Sequence, residues 1–235
     1  MENKGGFFTL ITKNDIALVI ALMFHVSGCI GMFTSYRQWF INSTPLNLAI
    51  VFALVLFTQK NKNKGFYQFL FICFITGMLT EMIGVNSGLL FGHYQYGAKL
   101  GPKLYQVPFL IGTNWFVIMY CSGIATHILH QKIEAKYIEH GRLIPEQVLL
   151  FSFIIDAALL ATFFDWVMEP VAIKFTFWSW AGNGSIPLYN YLCWFVISGL
   201  LMVAFRLLTF DKENHFAVHL LLIQLLFFGV LRTFL

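Results

Sequence analysis

Seven apolar stretches recur along this chain, near 16–34, 46–58, 66–84, 108–129, 147–168, 188–208 and 216–234. Most approach the roughly 20 residues that a helix needs to cross a hydrocarbon core about 30 Å thick. In lipid the backbone must satisfy its own polar groups, which leaves helices or a closed barrel, and nothing here alternates with the period of two that barrel strands require. Composition agrees, because 58% hydrophobic and 11% charged residues leave too little polar surface for a soluble globule of 235 residues. The expectation is an all-α, polytopic integral membrane protein: one domain over 1–235, with about seven transmembrane helices in one bundle. The second stretch is short, but Pro45 offers a start and 61–65 a stop.

Residues 1–9 carry one Lys and one Glu and lack a basic start and a small-residue cleavage site, so the first span is expected to act as its own insertion signal. Lys4, Lys13, Lys60, Lys62, Lys64, Lys132, Lys136, Arg142, Arg206 and Lys212 fall on one side of a seven-span topology. Arg37, Lys99, Lys103, Lys174 and Arg232 fall on the other, which predicts a cytoplasmic N-terminus. The two longest loops, 85–107 and 170–187, then lie together on the far face. Both interleave glycine with aromatic residues, and such loops suit a fold over the bundle mouth.

Acidic residues within these apolar stretches demand a reason, since a charge at the bilayer centre costs several kcal/mol and by default marks a functional position. Asp165 and Glu169 are one helical turn apart, on one face. Glu81, late in the third span, is carried to the same end of the bundle. Asp156 is half a turn from Asp165 and meets a different neighbour. The competing account of these acids is structural: ion pairs with Lys174, Lys99 or Arg37, or bonds to loop backbone.

Seven histidines are present, and His127, His130, His215 and His219 gather on the cytoplasmic side. That spacing admits a histidine–metal hydroxylase as a rival, although membrane oxygenases use more clustered boxes. The cysteines Cys29, Cys73, Cys121 and Cys193 form no C-x-x-C pair and read as small core residues. No lysine lies in 216–234 to form the Schiff base of a retinal protein. A non-catalytic carrier or transporter with an aromatic cavity stays open.

Several separated blocks carry a resemblance. They are Thr80-Glu81-Met82-Ile83-Gly84-Val85-Asn86 through Phe91-Gly92-His93-Tyr94-Gln95-Tyr96; Leu100-Gly101-Pro102 to Asn114-Trp115; Asp165-Trp166-Val167-Met168-Glu169-Pro170; Trp178-Ser179-Trp180; and Pro187-Leu188-Tyr189-Asn190-Tyr191 with Trp194. Over roughly 76–200 the chain resembles the membrane carotenoid 1,2-hydratases, of the bisanhydrobacterioruberin hydratase and gamma-carotene 1'-hydroxylase type. The family more often has Asp where this chain has Glu169. The resemblance implies a cofactor-independent hydro-lyase of a bacterial or archaeal cytoplasmic membrane that adds water across the terminal C1,C2 double bond of a psi end group, as in lycopene or gamma-carotene.

Such chemistry needs a shielded acid to protonate C2 and a setting that tolerates the tertiary cation at C1. Asp165 or Glu169 supplies the proton and the other counters the charge, with Asp165 the first choice as the deeper of the two; Glu81 is the third catalytic candidate. Trp166, Trp178, Trp180, Tyr94 and Tyr96 offer ring faces to the cation, at about 0.5–2 kcal/mol each. Asn86, Asn114 and Asn190 are candidates to position water, and His93 to shuttle protons. Expected partners are the carotenoid and the lipid bilayer, with no nucleic acid. Self-association, or association with other carotenoid enzymes, is left open. A carotenoid cyclase would share the protonation step and differ only in how the cation is quenched.

Overall fold

The computed structural model describes residues 11–235; Lys4 and the stretch 1–9, which lacks a basic start and a cleavage site, lie outside the described residues. Along the chain run α1 (Lys13–Met32), α2 (Arg37–Asn42), α3 (Thr44–Thr58), α4 (Lys64–Ser87), the short strands β1 (Tyr94–Tyr96), β2 (Lys103–Leu104) and β3 (Val107–Pro108), α5 (Phe109–Glu139), α6 (Glu146–Lys174), β4 (Trp178–Trp180), α7 (Leu188–Leu207) and α8 (His215–Phe234). Among the described residues six helices are long and apolar enough to cross a membrane: α1, α4, α5, α6, α7 and α8. The seventh expected span is α3, an apolar helix whose 15 residues extend about 22 Å, shorter than the other six.

Helix faces are sorted as lipid would sort them. On α1 the exposed residues include Val19, Met23, Val26 and Ile30, while Ala17, Ala21, His25, Gly28 and Gly31 turn inward. Small residues on the inner face let helices approach closely, and van der Waals packing rather than hydrophobic exclusion then holds them. On α6, Ala158, Ala161, Asp165, Met168 and Ala172 are buried and Ile155, Leu159, Phe163 and Trp166 are exposed. Asp165 and Glu169 therefore both lie on its protein-facing side, while Asp156 is exposed. α5 is the central element, packed against α3, α4, α6, α7 and α8.

The end of the bundle near 59 and 214 is closed by polar side chains. Tyr120 donates its hydroxyl to Gln59 and accepts from Asn214 Nδ2 at 3.1 Å, while the same amide nitrogen lies 3.0 Å from Thr58 Oγ1. At the opposite end two loops are joined. β1 pairs antiparallel with β4 in the register Tyr94–Trp180, Gln95–Ser179 and Tyr96–Trp178, and β2 with β3 form a small hairpin. Alternation along β1 buries Tyr94 and Tyr96 and exposes Gln95, so one face of this ribbon is aromatic and aims into the bundle. The chain can turn from α4 into β1 because Gly88 adopts φ +69° and has the His93 ring against it; an added Cβ would lie 2.2 Å from His93 Cε1.

Two sequence expectations are corrected here. α6 does not stop near 168 but runs through Pro170 to Lys174, so Glu169 is an interior helical residue. Pro170 has no N–H to offer the carbonyl of Trp166. Arg232 of α8 supplies the missing donor, with Nη1 at 2.6 Å from that oxygen and its guanidinium 3.8 Å from the Trp166 ring centre. Trp166 is thereby a clamp between α6 and α8 on the outer surface, 45% exposed, rather than a ring of the interior.

Candidate active site

Glu81 from α4, Asp165 and Glu169 from α6, and the aromatic ribbon enclose one cavity of about 30 Å³, which Asn114, Trp115, Asn190 and Trp194 also line. A single water needs about 10–15 Å³ measured this way, so the space holds one or two waters and no more. Each acid is bonded differently. Glu81 accepts on both oxygens: the Tyr94 hydroxyl and the Tyr96 hydroxyl (2.7 Å) on Oε2, and Trp115 Nε1 at 3.0 Å on Oε1. Glu169 Oε2 accepts two indole N–H groups, from Trp178 and Trp180, each at 3.1 Å. Asp165 Oδ2 accepts one bond, from Asn190 Nδ2 at 2.8 Å, and its buried Oδ1 has no hydrogen-bond partner among the described residues.

The ribbon therefore does more than cover the mouth. Every aromatic side chain that β1 and β4 turn inward delivers its polar hydrogen to a carboxylate. Burial first, and the adjacent Glu81 charge second, push the Tyr94 and Tyr96 phenols well above their ordinary range, which keeps both as donors. Ring contacts reinforce the placement: Tyr94 lies 5.0 Å from Trp180, Tyr96 lies 5.7 Å edge-on to Trp178, and Trp115 stacks on Trp194 at 4.0 Å with 8° between planes.

None of the three acids has a lysine or arginine within ion-pair distance among the described residues. Of the cations proposed as their partners, Lys99 and Arg37 are engaged with backbone and a ring. Lys99 Nζ caps α6 at the Phe175 carbonyl (2.8 Å), and the Arg37 guanidinium lies over the Phe175 ring. Asp156 meets His130 at 2.8 Å near the other end. Asp165 and Glu169 are 1% and 3% exposed, so the depth difference expected between them is absent.

Of the sequence candidates, the cavity thus gathers Glu81, Asp165, Glu169, Tyr94, Tyr96, Trp178, Trp180, Asn114 and Asn190. It does not gather Trp166, Asn86 or His93. Asn86 is exposed and joins α4 to the hairpin, with Nδ2 at 2.8 Å from the Met82 carbonyl and 3.1 Å from that of Tyr105. His93 is exposed and rests on Gly88. Trp115 and Trp194 were not among the candidates; their signal was a tryptophan inside an apolar helix, whose N–H must find a partner when buried. Among the described residues no three His, Cys, Asp or Glu side chains are grouped as a metal ion would require, and His215 and His219 are exposed.

Trp115 reaches Glu81 only because Gly77 leaves room. A Cβ at Gly77 would sit 2.5 Å from Trp115 Cγ, at the rigid root of the ring. Gly77→Ala is expected to cost about 2 kcal/mol by overpacking, read as a lowered unfolding temperature in detergent. An unchanged melting temperature would show that the α4–α5 contact yields without cost.

Six spanning-length helices around a buried carboxylate site, closed by an aromatic ribbon, define a polytopic helical membrane protein with an enclosed acid chamber. Residues 42–235 match the model of the family described as carotenoid biosynthesis protein, which covers most of the chain, and the protein belongs to that family. Neither a curated protein nor a solved structure matches it significantly.

Proposed function

We propose that the protein is a carotenoid hydratase that adds water across the terminal C1,C2 double bond of a psi end group by acid catalysis. The observation that carries this is Asp165 Oδ1, a buried carboxyl oxygen without a partner at the wall of a water-sized cavity. A protonated Asp165 has that oxygen free to donate, whereas both Glu81 oxygens already accept and Glu169 accepts its two indole bonds on Oε2, which leaves Oε1 to take a proton. The proton passes from Asp165 to C2, and the π bond leaves a cation at C1. Water then forms the C1–O bond and loses its proton to Glu169, from which it returns to Asp165 one turn below.

The rings of Trp178, Trp180, Tyr94 and Tyr96 face the cation, each worth about 0.5–2 kcal/mol. Entry of the end group requires these side chains to part, since the closed cavity holds only water. Membership of a carotenoid biosynthesis family supports the substrate class. With the N-terminus cytoplasmic, as the lysine and arginine distribution predicts, the chamber opens toward the outer face.

The test uses a lycopene-producing host, grown without oxygen in oxygen-18 water. The expected product is a tertiary alcohol carrying the label. An isomer of unchanged mass would indicate cyclisation, and dependence on molecular oxygen would indicate a hydroxylase; either would overturn the proposal.

A further inference from the structure

A second cavity, of about 180 Å³, lies between α1, α2, α3 and α8 and shares no lining residue with the first. His25, Gly28, Phe40, Phe177, Gln224 and Phe228 are among its walls. An apolar cavity of about 150 Å³ takes a benzene-sized molecule, so this one has room for an isoprenoid end group. Its wall is not that of a hydrocarbon site: Ser27, Ser43, Thr44 and Asn47 line it, and Asn47 Oδ1 is buried without a partner among the described residues. His25 and Gln224 are each 4% exposed, and both line the cavity.

His25 Nδ1 lies 2.8 Å from the Ala21 carbonyl, which can only accept, so Nδ1 carries the hydrogen and Nε2 of the neutral ring is an acceptor. Neither Nε2 nor the Gln224 amide forms a hydrogen bond among the described residues. Phe227 stands edge-on to His25, with centroids 5.4 Å apart, and Gln224 is one turn before it on α8. An acceptor and an amide donor thus line one predominantly apolar space together with the unpartnered Asn47 Oδ1, and a buried polar group without a partner is costly unless something fills that role. A hydroxyl group does so on both counts: it donates to His25 Nε2 and accepts from Gln224 Nε2.

We infer that this cavity binds an apolar isoprenoid bearing a tertiary alcohol. The choice of a tertiary alcohol rests on the hydration proposed above, for which it is the product group; the polarity of the cavity does not. Location suits a product seat. Phe177 lines this cavity and its neighbour Trp178 lines the carboxylate chamber, so consecutive residues form a wall common to both. α1 lies outside the range matched by the family, so His25 and Gly28 complete the site from a part of the chain that the family match does not cover.

The experiment uses the full chain in lipid nanodiscs, in the Asp165→Asn background to prevent turnover. Binding of the tertiary alcohol dihydromyrcenol and of the matching alkene dihydromyrcene is measured by titration calorimetry and saturation-transfer NMR. The alcohol is expected to bind about five- to tenfold more tightly than the alkene, the worth of one or two net hydrogen bonds. His25→Phe and Gln224→Leu should each remove that preference while the alkene still binds. Gly28→Leu should abolish binding of both, since its Cβ would meet Phe227 at an ordinary 3.4 Å and the rest of the side chain fills the space.

Equal affinity for alcohol and alkene, a preference that survives both polar substitutions, or binding untouched by Gly28→Leu would overturn the inference. Because binding is read without turnover, such a result leaves the labelled-water outcome standing, and failure of hydration leaves the binding result standing.

Discussion

Asp165→Asn is expected to lower hydration about a thousandfold while the protein inserts and folds as before. A positioned general acid contributes roughly 10²–10⁴ in rate, and the amide is nearly isosteric but has no proton acidic enough for an alkene. Folding should be spared because Asp165 makes one side-chain hydrogen bond, from Asn190, which the amide oxygen can still accept. The measurement is initial product formation by reconstituted protein at matched folded amount. Retention of more than a tenth of the activity would remove Asp165 from the role of acid, and a collapse in folded yield would assign it a structural one.

Glu81→Leu has the largest expected effect on stability. One carboxylate holds the Tyr94 and Tyr96 hydroxyls and the Trp115 indole. Replacing it by an apolar group of similar size leaves three buried donors unpaired, at about 1 kcal/mol each or more, so a loss of at least about 3 kcal/mol is expected. The loss should be concentrated in the ribbon, because β1 is tied to α4 through these bonds. Hydrogen exchange should show β1 and β4 losing protection well before the α5 core. Glu81→Gln should behave in between, since its carbonyl can accept both phenols while its amino group opposes the Trp115 N–H. Uniform loss of protection across all helices, or none in the ribbon, would show that Glu81 does not anchor it.

The two substitutions separate roles that the sequence placed together. Asp165, Glu169 and Glu81 were all visible as acids in apolar segments, because a carboxylate in such a setting has no cheap explanation. Helical periodicity put Asp165 and Glu169 on one face, and alternation of span direction brought Glu81 to their end. What each acid is bonded to was not visible. Those partners come from β1, β4, α5 and α7, and the pairing of 94–96 with 178–180 is a contact between segments more than 80 residues apart.

The misplacements have the same origin. Trp166 follows Asp165 immediately, which on a helix turns it about 100° away, to the surface where Arg232 holds it. Pro170 looked like a helix end, yet the helix continues because α8 supplies a donor for the carbonyl that proline leaves free. The 46–58 stretch forms α3, an apolar helix of 15 residues that is shorter than the six of spanning length.

The sequence by itself determined the solvent, the helical class and the acids that need explaining, since each follows from local chemistry: apolar length, backbone satisfaction and the cost of charge in lipid. Only the tertiary structure decided which acid is left with a buried oxygen lacking a partner and which rings reach the cavity. It also decided that His25 and Gln224 line one cavity. Those outcomes depend on hydrogen bonds and close approaches between distant helices, whose geometry no stretch of sequence carries alone.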